Sequence, residues 1–304
     1  MPPVSDSVNY KQDSEVNFHS PFLSVIGVTM NAVLRTAMCI AALNSCGLRQ
    51  ETSLVKITNG KIVAEADFPA VVNLFRRIVD KQGKFLGGAT CTATWIDDVT
   101  LITAAHCLGD EDSDSVGMMK DPQLIVFEIV DATTDPKLTK GITQASEAYR
   151  NKAWETNKGF NKYDLAILRM PPAQIGERPR QSISINHHLV TVGTSVQIIG
   201  YGFNNMSLFG KGGDDLKRIG NNRIDSAKNG FLNIVGKVKD SQGGPTGEKA
   251  SAGNGDSGGP MLEDGRLIGV ASGGGAEGVF ARGESSYVDL NSPESKEFLA
   301  RFGF

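Results

Sequence analysis

The run Gly255-Asp256-Ser257-Gly258-Gly259, followed by Pro260, constrains this chain more than any other stretch, because it places a serine in a tight backbone turn with glycines on both sides. Glycine adopts the strained dihedrals that such a turn needs. A serine in this setting can act as a nucleophile, but only if a neighbouring base takes its proton and a third group holds that base. A histidine and a carboxylate must therefore be found. The chain has four histidines, His19, His106, His187 and His188, and none follows Ser257.

Gly255, Ser257 and Gly259 also satisfy the G-x-S-x-G nucleophile elbow, but enzymes built on that elbow run serine, acid, histidine along the chain. With no histidine after Ser257, that reading fails. What remains is histidine before serine. His106 closes Leu101-Ile102-Thr103-Ala104-Ala105-His106-Cys107, a β-prone run ending in small residues, and a second cysteine, Cys91, stands sixteen positions before Cys107. Between His106 and Ser257, Asp164 heads the apolar run Leu165-Ala166-Ile167-Leu168. A carboxylate buried there needs a hydrogen-bond partner. His187 and His188 are adjacent, so in a strand they would face opposite sides and could not easily share a metal; they read as part of a solvated connection.

Thr103-Ala104-Ala105-His106-Cys107, Asp164-Leu165-Ala166-Ile167-Leu168 and Gly255-Asp256-Ser257-Gly258-Gly259-Pro260, in this order, resemble the trypsin/chymotrypsin family of serine endopeptidases. The resemblance spans Ile57 to Phe304. It implies an all-β fold of two six-stranded antiparallel β-barrels packed across an active-site cleft, the first over about 57–175 and the second over about 190–290, with a C-terminal helix at about 292–303. It further implies His106 as general base, Asp164 as its orienting acid and Ser257 as the nucleophile, with an oxyanion hole at the N–H groups of Gly255 and Ser257. Cys91 and Cys107 would form the disulfide that closes the His106 loop. No metal or cofactor is expected. In trypsin-like zymogens a cut frees an isoleucine or valine whose ammonium pairs with the aspartate before the nucleophile. Here Lys56 precedes Ile57-Thr58-Asn59-Gly60, which resembles the family's Ile-Val-Gly-Gly terminus with departures at Thr58 and Asn59, and Asp256 is the matching carboxylate.

Substrate preference is carried by fewer residues. Ser251, six before the nucleophile, stands where trypsin-type enzymes carry an aspartate for Lys/Arg substrates, so a neutral pocket floor and apolar or aromatic preference are expected. Ser272 would lie near Asp164, and Gly274 would hydrogen-bond the substrate backbone. Gly273 replaces the family's usual tryptophan. Ser285 would face Ser251, with Glu284 beside it; an inward Glu284 would restore basic substrates. An esterase on the same fold, or a catalytically silent binding protein, are the alternatives.

The two chain ends also carry readings. Ser292, Pro293 and Glu294 suit the N-cap and first turn of a helix, Gly303 suits its end, and Phe298, Leu299 and Phe302 would share one face and dock on the second barrel. Val196-Gln197-Ile198-Ile199-Gly200-Tyr201-Gly202 reads as the strand opening that barrel. At the other end, residues 22–43 are largely apolar but interrupted by Asn31 and Arg35, a poor membrane span and a better export signal. Read from Met30, Arg35 supplies a basic region, Thr36–Leu43 a short apolar one, and Leu43-Asn44-Ser45-Cys46-Gly47 resembles a bacterial lipobox with lipidation at Cys46; Asn44 departs from the small apolar residue usual there. The rivals are an ordinary signal cleaved near Ser45 and a membrane-proximal segment that is never cleaved. Residues 47–56 read as a tether or pro-segment.

The remaining features bound the partners. A disulfide needs an oxidising compartment, so the protein is expected in the cell envelope or outside the cell rather than the cytoplasm. Cysteines for the other bridges common in animal relatives are missing, which suggests a bacterial-type member. The net charge of −3 leaves no basic footprint for nucleic acid. Protein or peptide substrates, an activating protease and a lipid anchor are the expected partners of a monomer. The acidic run Asp110-Glu111-Asp112-Ser113-Asp114 resembles part of a calcium loop, but Ser115 and Asp121 stand where that loop needs glycine and glutamate, so it reads as a solvated turn.

Overall fold

The computed structural model describes residues 57–109, 113–121, 125–130, 139–157, 160–172, 180–202, 216–273 and 283–304, with backbone alone at 126–130 and 139–143. The export region, Cys46, Lys56, Asp110–Asp112 and Gly274 lie outside these residues.

Strands dominate. In chain order they are β1 (Lys61–Ile62), β2 (Val71–Val79), β3 (Phe85–Trp95), β4 (Thr100–Thr103), β5 (Ile125–Val130), β6 (Thr139–Gln144), β7 (Glu147–Arg150), β8 (Ala166–Arg169), β9 (Ser195–Gly200), β10 (Arg218–Arg223), β11 (Ser226–Lys228), β12 (Phe231–Val235), β13 (Pro260–Glu263), β14 (Arg266–Ala271) and β15 (Glu284–Asp289). The helices are short: α1 (Lys152–Thr156) and α2 (Pro293–Ala300). The strands form two antiparallel sheets, ordered β6-β5-β2-β3-β4-β8-β7 and β1-β10-β9-β13-β14-β15-β12-β11. The fold class is thus the all-β, two-sheet arrangement expected; the sheets carry seven and eight strands in place of six each. The two-residue β1 and three-residue β11 help to raise the second count.

Burial explains why β4 and β8 do not alternate. All four residues of β4 are buried, as are Ala166, Ile167 and Leu168 of β8, so these central strands are covered on both faces. Burying such an aliphatic side chain is worth roughly 1.5–3 kcal/mol. The threonines survive there because their hydroxyls are bonded, Thr100 Oγ1 to Asp97 Oδ2 (2.9 Å) and Thr103 Oγ1 to the Thr92 carbonyl (2.8 Å).

Two segments sit elsewhere than expected. Ile57–Ile62 precedes the first sheet in sequence but belongs to the second: Thr58 exchanges backbone bonds with Ser251, and β1 pairs with β10. Helix α2 begins as predicted, with Ser292 accepting from Ser295 N–H (3.2 Å) and Pro293 in the first turn. It docks against the first sheet, not the second alone. The Phe302 ring packs on Tyr149 of β7 (5.1 Å between centroids), and the Phe302 carbonyl accepts from Arg169 of β8 (3.3 Å). Phe298 and Leu299 are buried as expected, and Glu294 pairs with Lys162. The acidic run is a tight hairpin tip where it is described: Ser113 bridges to Met119, and Asp114 Oδ1 accepts from Val116 and Met118 N–H (both 2.9 Å).

Candidate active site

His106 lies in a single 3-10 turn, Ala105–Leu108, directly after β4. Ala104 and Ala105 are fully buried, and their small side chains let the turn press into the sheet. Cys107 is bonded to Cys91 of β3, which ties this turn to the neighbouring strand as expected. Asp164 sits in the turn before β8, 1% exposed. Both of its oxygens are used. Oδ1 accepts from the His106 backbone N–H (2.9 Å), while Oδ2 meets His106 Nδ1 (2.7 Å) and accepts from Ser272 Oγ (2.6 Å). Backbone and ring of His106 are therefore both held by one carboxylate. Burial lowers the His106 pKa most strongly of the separate causes, but the charge of Asp164 and its hydrogen bond together outweigh burial and raise it above 6.5.

Ser257 is held from two sides. Its carbonyl accepts from Thr92 N–H of β3 (2.7 Å), and Gly258 N–H donates to the Ala271 carbonyl of β14 (2.7 Å). Gly255 and Gly258 have φ of 89° and 80°, the left-handed region in which a side chain is strained. A Cβ on Gly258 would also stand 2.1 Å from Thr103 Oγ1. The disulfide brings histidine and serine to one place: Cys107 Sγ is 3.9 Å from His106 Nε2 and 3.6 Å from the Ser257 carbonyl oxygen. No hydrogen bond joins the Ser257 hydroxyl to His106. Among the described residues the N–H groups of Gly255 and Ser257 have no acceptor.

Asp256 points away from this surface into the second sheet. It is 1% exposed, with Oδ1 accepting from Gly202 N–H (2.8 Å) and Oδ2 from Gly253 N–H (2.9 Å). Burial pushes its carboxyl up to about 7, opposed by these two N–H groups and by the charge of Arg218. Ile57 is fully buried in an apolar cluster that includes Val196, Ile198 and Ala250, and its nitrogen, within the uncut chain, is an uncharged amide.

The family described as Trypsin matches residues 57–289. The chain belongs to the trypsin family. Solved structures agree on the fold. An HL collagenase aligns at 17% identity and TM-score 0.57 over 82% of this chain and 99% of its own. A Glu endopeptidase solved in complex with MPD aligns at 18% and 0.54, covering 82% and 98%. A scabies mite inactivated protease paralogue aligns at 18% and 0.57, covering 81% and 98%. No curated protein matches the chain.

Within this trypsin-family frame, the departure at Asn59 is absorbed structurally. Asn59 holds φ of 61°, which asparagine tolerates better than most residues. Its side chain accepts from Ser241 and Thr246 N–H and donates to Thr246 Oγ1 and the Glu248 carbonyl, so it pins the loop that precedes Ser251. Ser251 and Ser285 are both buried. Ser251 Oγ donates to the Lys237 carbonyl (2.7 Å), and Ser285 Oγ accepts from Ala252 N–H (2.8 Å). Glu284, next to Ser285 in β15, lies on the other face of the strand. Successive residues of a strand face opposite ways, so Ser285 shares a face with buried Tyr287, and half-buried Glu284 shares one with Ser286, whose hydroxyl bonds Asn233. Gly273 N–H reaches the Ser286 carbonyl (3.4 Å).

Cys91, His106 and Cys107 cluster within metal-ligand distance, but both sulfurs are spent in the disulfide and offer no thiolate. Thr92, Gly202 and Gly253, which hold the Ser257 turn and Asp256, carried no signal in the sequence for these contacts.

Proposed function

We propose that the protein is a serine endopeptidase acting through His106, Asp164 and Ser257. His106 accepts the Ser257 proton as the hydroxyl attacks the substrate carbonyl, and returns it to the leaving amine; Asp164 holds the Nδ1–H tautomer and stabilises the imidazolium. The acyl-enzyme on Ser257 is then hydrolysed by water through the same base. The N–H groups of Gly255 and Ser257 receive the oxyanion, a contribution of about 2.7–4 kcal/mol per donor in comparable enzymes. The observation that carries this reading is Asp164: one buried carboxylate bonds both the backbone and the ring of His106, leaving Nε2 on the side of the disulfide that also borders Ser257. A nucleophile–base hydrogen bond in such enzymes commonly tightens only when substrate binds.

Neutral Ser251 and Ser285 favour apolar or aromatic side chains before the scissile bond, and Glu284, on the other face of β15, leaves that preference in place. Activation follows a cut before Ile57 by another protease, whose new ammonium joins Asp256. Export from the cytoplasm, with Cys46 as a lipid anchor, completes the reading; labelling of intact protein, but not of Cys46→Ala, by a fatty-acid probe tests the anchor.

A covalent serine-directed probe tests the core of the reading. The wild type is expected to be labelled on Ser257 and to cleave peptides ending in Phe or Leu before those ending in Arg or Lys; Ser257→Ala loses both properties and keeps its fold. Retained turnover in Ser257→Ala would sink it. The second reading, a silent binding protein, draws on the fold's occurrence in an inactivated protease paralogue and in a mutant of human heparin binding protein (17% identity, TM-score 0.51, covering 81% of this chain and 95% of that one). Absence of labelling would favour it.

A further inference from the structure

Thr92 follows the disulfide cysteine on β3 and is completely buried. Its polar groups are divided between the nucleophile turn and the strands behind it. The N–H donates to the Ser257 carbonyl (2.7 Å), and the hydroxyl donates to the Gly255 carbonyl (3.1 Å). That same hydroxyl accepts from Tyr201 N–H (3.1 Å), at the end of β9, and the Thr92 carbonyl accepts from Thr103 Oγ1 (2.8 Å). A single side-chain oxygen thus bridges a donor on the second sheet and an acceptor on the turn.

The bridge bears on the Ser257 N–H, one of the two groups proposed for the oxyanion. Gly255 has no Cβ, so both of its dihedrals are soft, and the peptide that follows it would be free to swing. Fixing its carbonyl fixes the rotation of the peptide joining Gly255 to Asp256. The Ser257 carbonyl is fixed by Thr92 N–H, so the two anchored carbonyls bracket the Asp256–Ser257 peptide, which carries the Ser257 N–H. Preorganised donors lower a barrier because they need no rearrangement when charge develops.

We propose that Thr92 is a positioning residue: its hydroxyl locks the Gly255–Asp256 peptide against Tyr201 and so, together with its N–H on the Ser257 carbonyl, aims the Ser257 N–H at the oxyanion. This rests on Ser257 being the nucleophile. Thr92→Val keeps the shape and removes the bridge. Removing a whole oxyanion donor lowers kcat by about 10²–10³-fold; loosening the aim of one retained is expected to lower kcat by about tenfold, with KM within about twofold. A residue that merely stabilises the fold would lower the unfolding midpoint and leave kcat per folded molecule unchanged.

The test measures kcat and KM of the mature enzyme on peptide anilides, with urea midpoints for each variant and active sites counted by the serine probe. Thr92→Ser is expected to restore kcat to within about twofold of wild type, because it returns the hydroxyl without the methyl, and the limb of the kcat/KM profile set by His106 is expected not to move. Equal kcat in Thr92→Val and wild type overturns the proposal. So does a kcat in Thr92→Ser as low as in Thr92→Val, which would assign the effect to packing. Should Thr92→Val not fold, Thr92→Ala, with less volume to accommodate, carries the same expectation for kcat. A parallel Ser257→Ala control separates the two levels. If it is inactive while Thr92→Val matches wild type, only the role of Thr92 falls; if it retains turnover, the nucleophile assignment falls and takes this one with it.

Discussion

Asp256 makes the proposed activation step measurable as a change in the pH dependence of stability. In the uncleaved chain, burial raises its carboxyl from 3.8 to about 7, with only two backbone N–H groups and the charge of Arg218 in opposition. A raised carboxyl means that the folded state keeps a proton that the unfolded chain has released. Between the two values the unfolded chain binds fewer protons, so stability falls as pH rises. The contribution is fully present below about pH 4 and lost through about pH 7. Integrated from pH 4.5 to 7.5, the loss is about 3 kcal/mol, a large fraction of the roughly 5–15 kcal/mol that holds a domain folded.

A cut before Ile57 would reverse this. The new ammonium, placed against Asp256, favours the ionised carboxylate, returns its pKa towards the ordinary range and flattens the slope. The assay is urea unfolding at several pH values between 4.5 and 7.5 on Ser257→Ala protein, which cannot digest itself, with and without Asp256→Asn. His106, Glu155, Asp289 and Glu294 titrate in both proteins, and the amide's altered hydrogen bonding is the same at every pH, so the difference isolates one group. The uncleaved Asp256 protein is expected to lose about 3 kcal/mol relative to the asparagine variant over this range, and the protein beginning at Ile57 about none. Parallel curves in the uncleaved pair would refute the burial argument, and a slope that persists after cleavage would refute the ammonium as partner.

Three further outcomes follow from the geometry. Asp164→Asn is expected to lower kcat by about 10⁴-fold, as in the corresponding change of a Ser-His-Asp enzyme; because Asp164 is what raises His106, the acidic limb of residual kcat/KM should also move to lower pH. Replacing Cys91 and Cys107 together by alanine opens a 16-residue link and is expected to destabilise by about 3 kcal/mol, read from the urea midpoint against the disulfide-bonded wild type. Gly258→Ala forces a side chain into φ of 80°, with its Cβ 2.1 Å from Thr103 Oγ1 and 2.3 Å from the Thr92 carbonyl. A loss of roughly 1–3 kcal/mol from backbone strain alone is expected, together with loss of probe labelling.

How far the sequence could be read depended on whether the information was local. His106, Asp164 and Ser257 each stand in a short stretch whose composition states its conformation: small residues before a turn, an acid at the head of an apolar strand, glycines about a serine. The face of Glu284 was equally local, since residues one apart on β15 point opposite ways, and alternation alone separates it from Ser285. By contrast, no periodicity could say that Ile57–Ile62 pairs with the second sheet or that Phe302 packs on β7, because each depends on register between segments far apart in the chain. The Ser257 turn divides along the same line. Its glycines announce the dihedrals that it must adopt, yet glycine permits those dihedrals without enforcing them. What enforces them is a hydroxyl 163 residues away on another sheet, Thr92 Oγ1 against the Gly255 carbonyl. A turn loosened by lacking side chains must borrow its rigidity from neighbours, and those neighbours become visible only once the strands are paired.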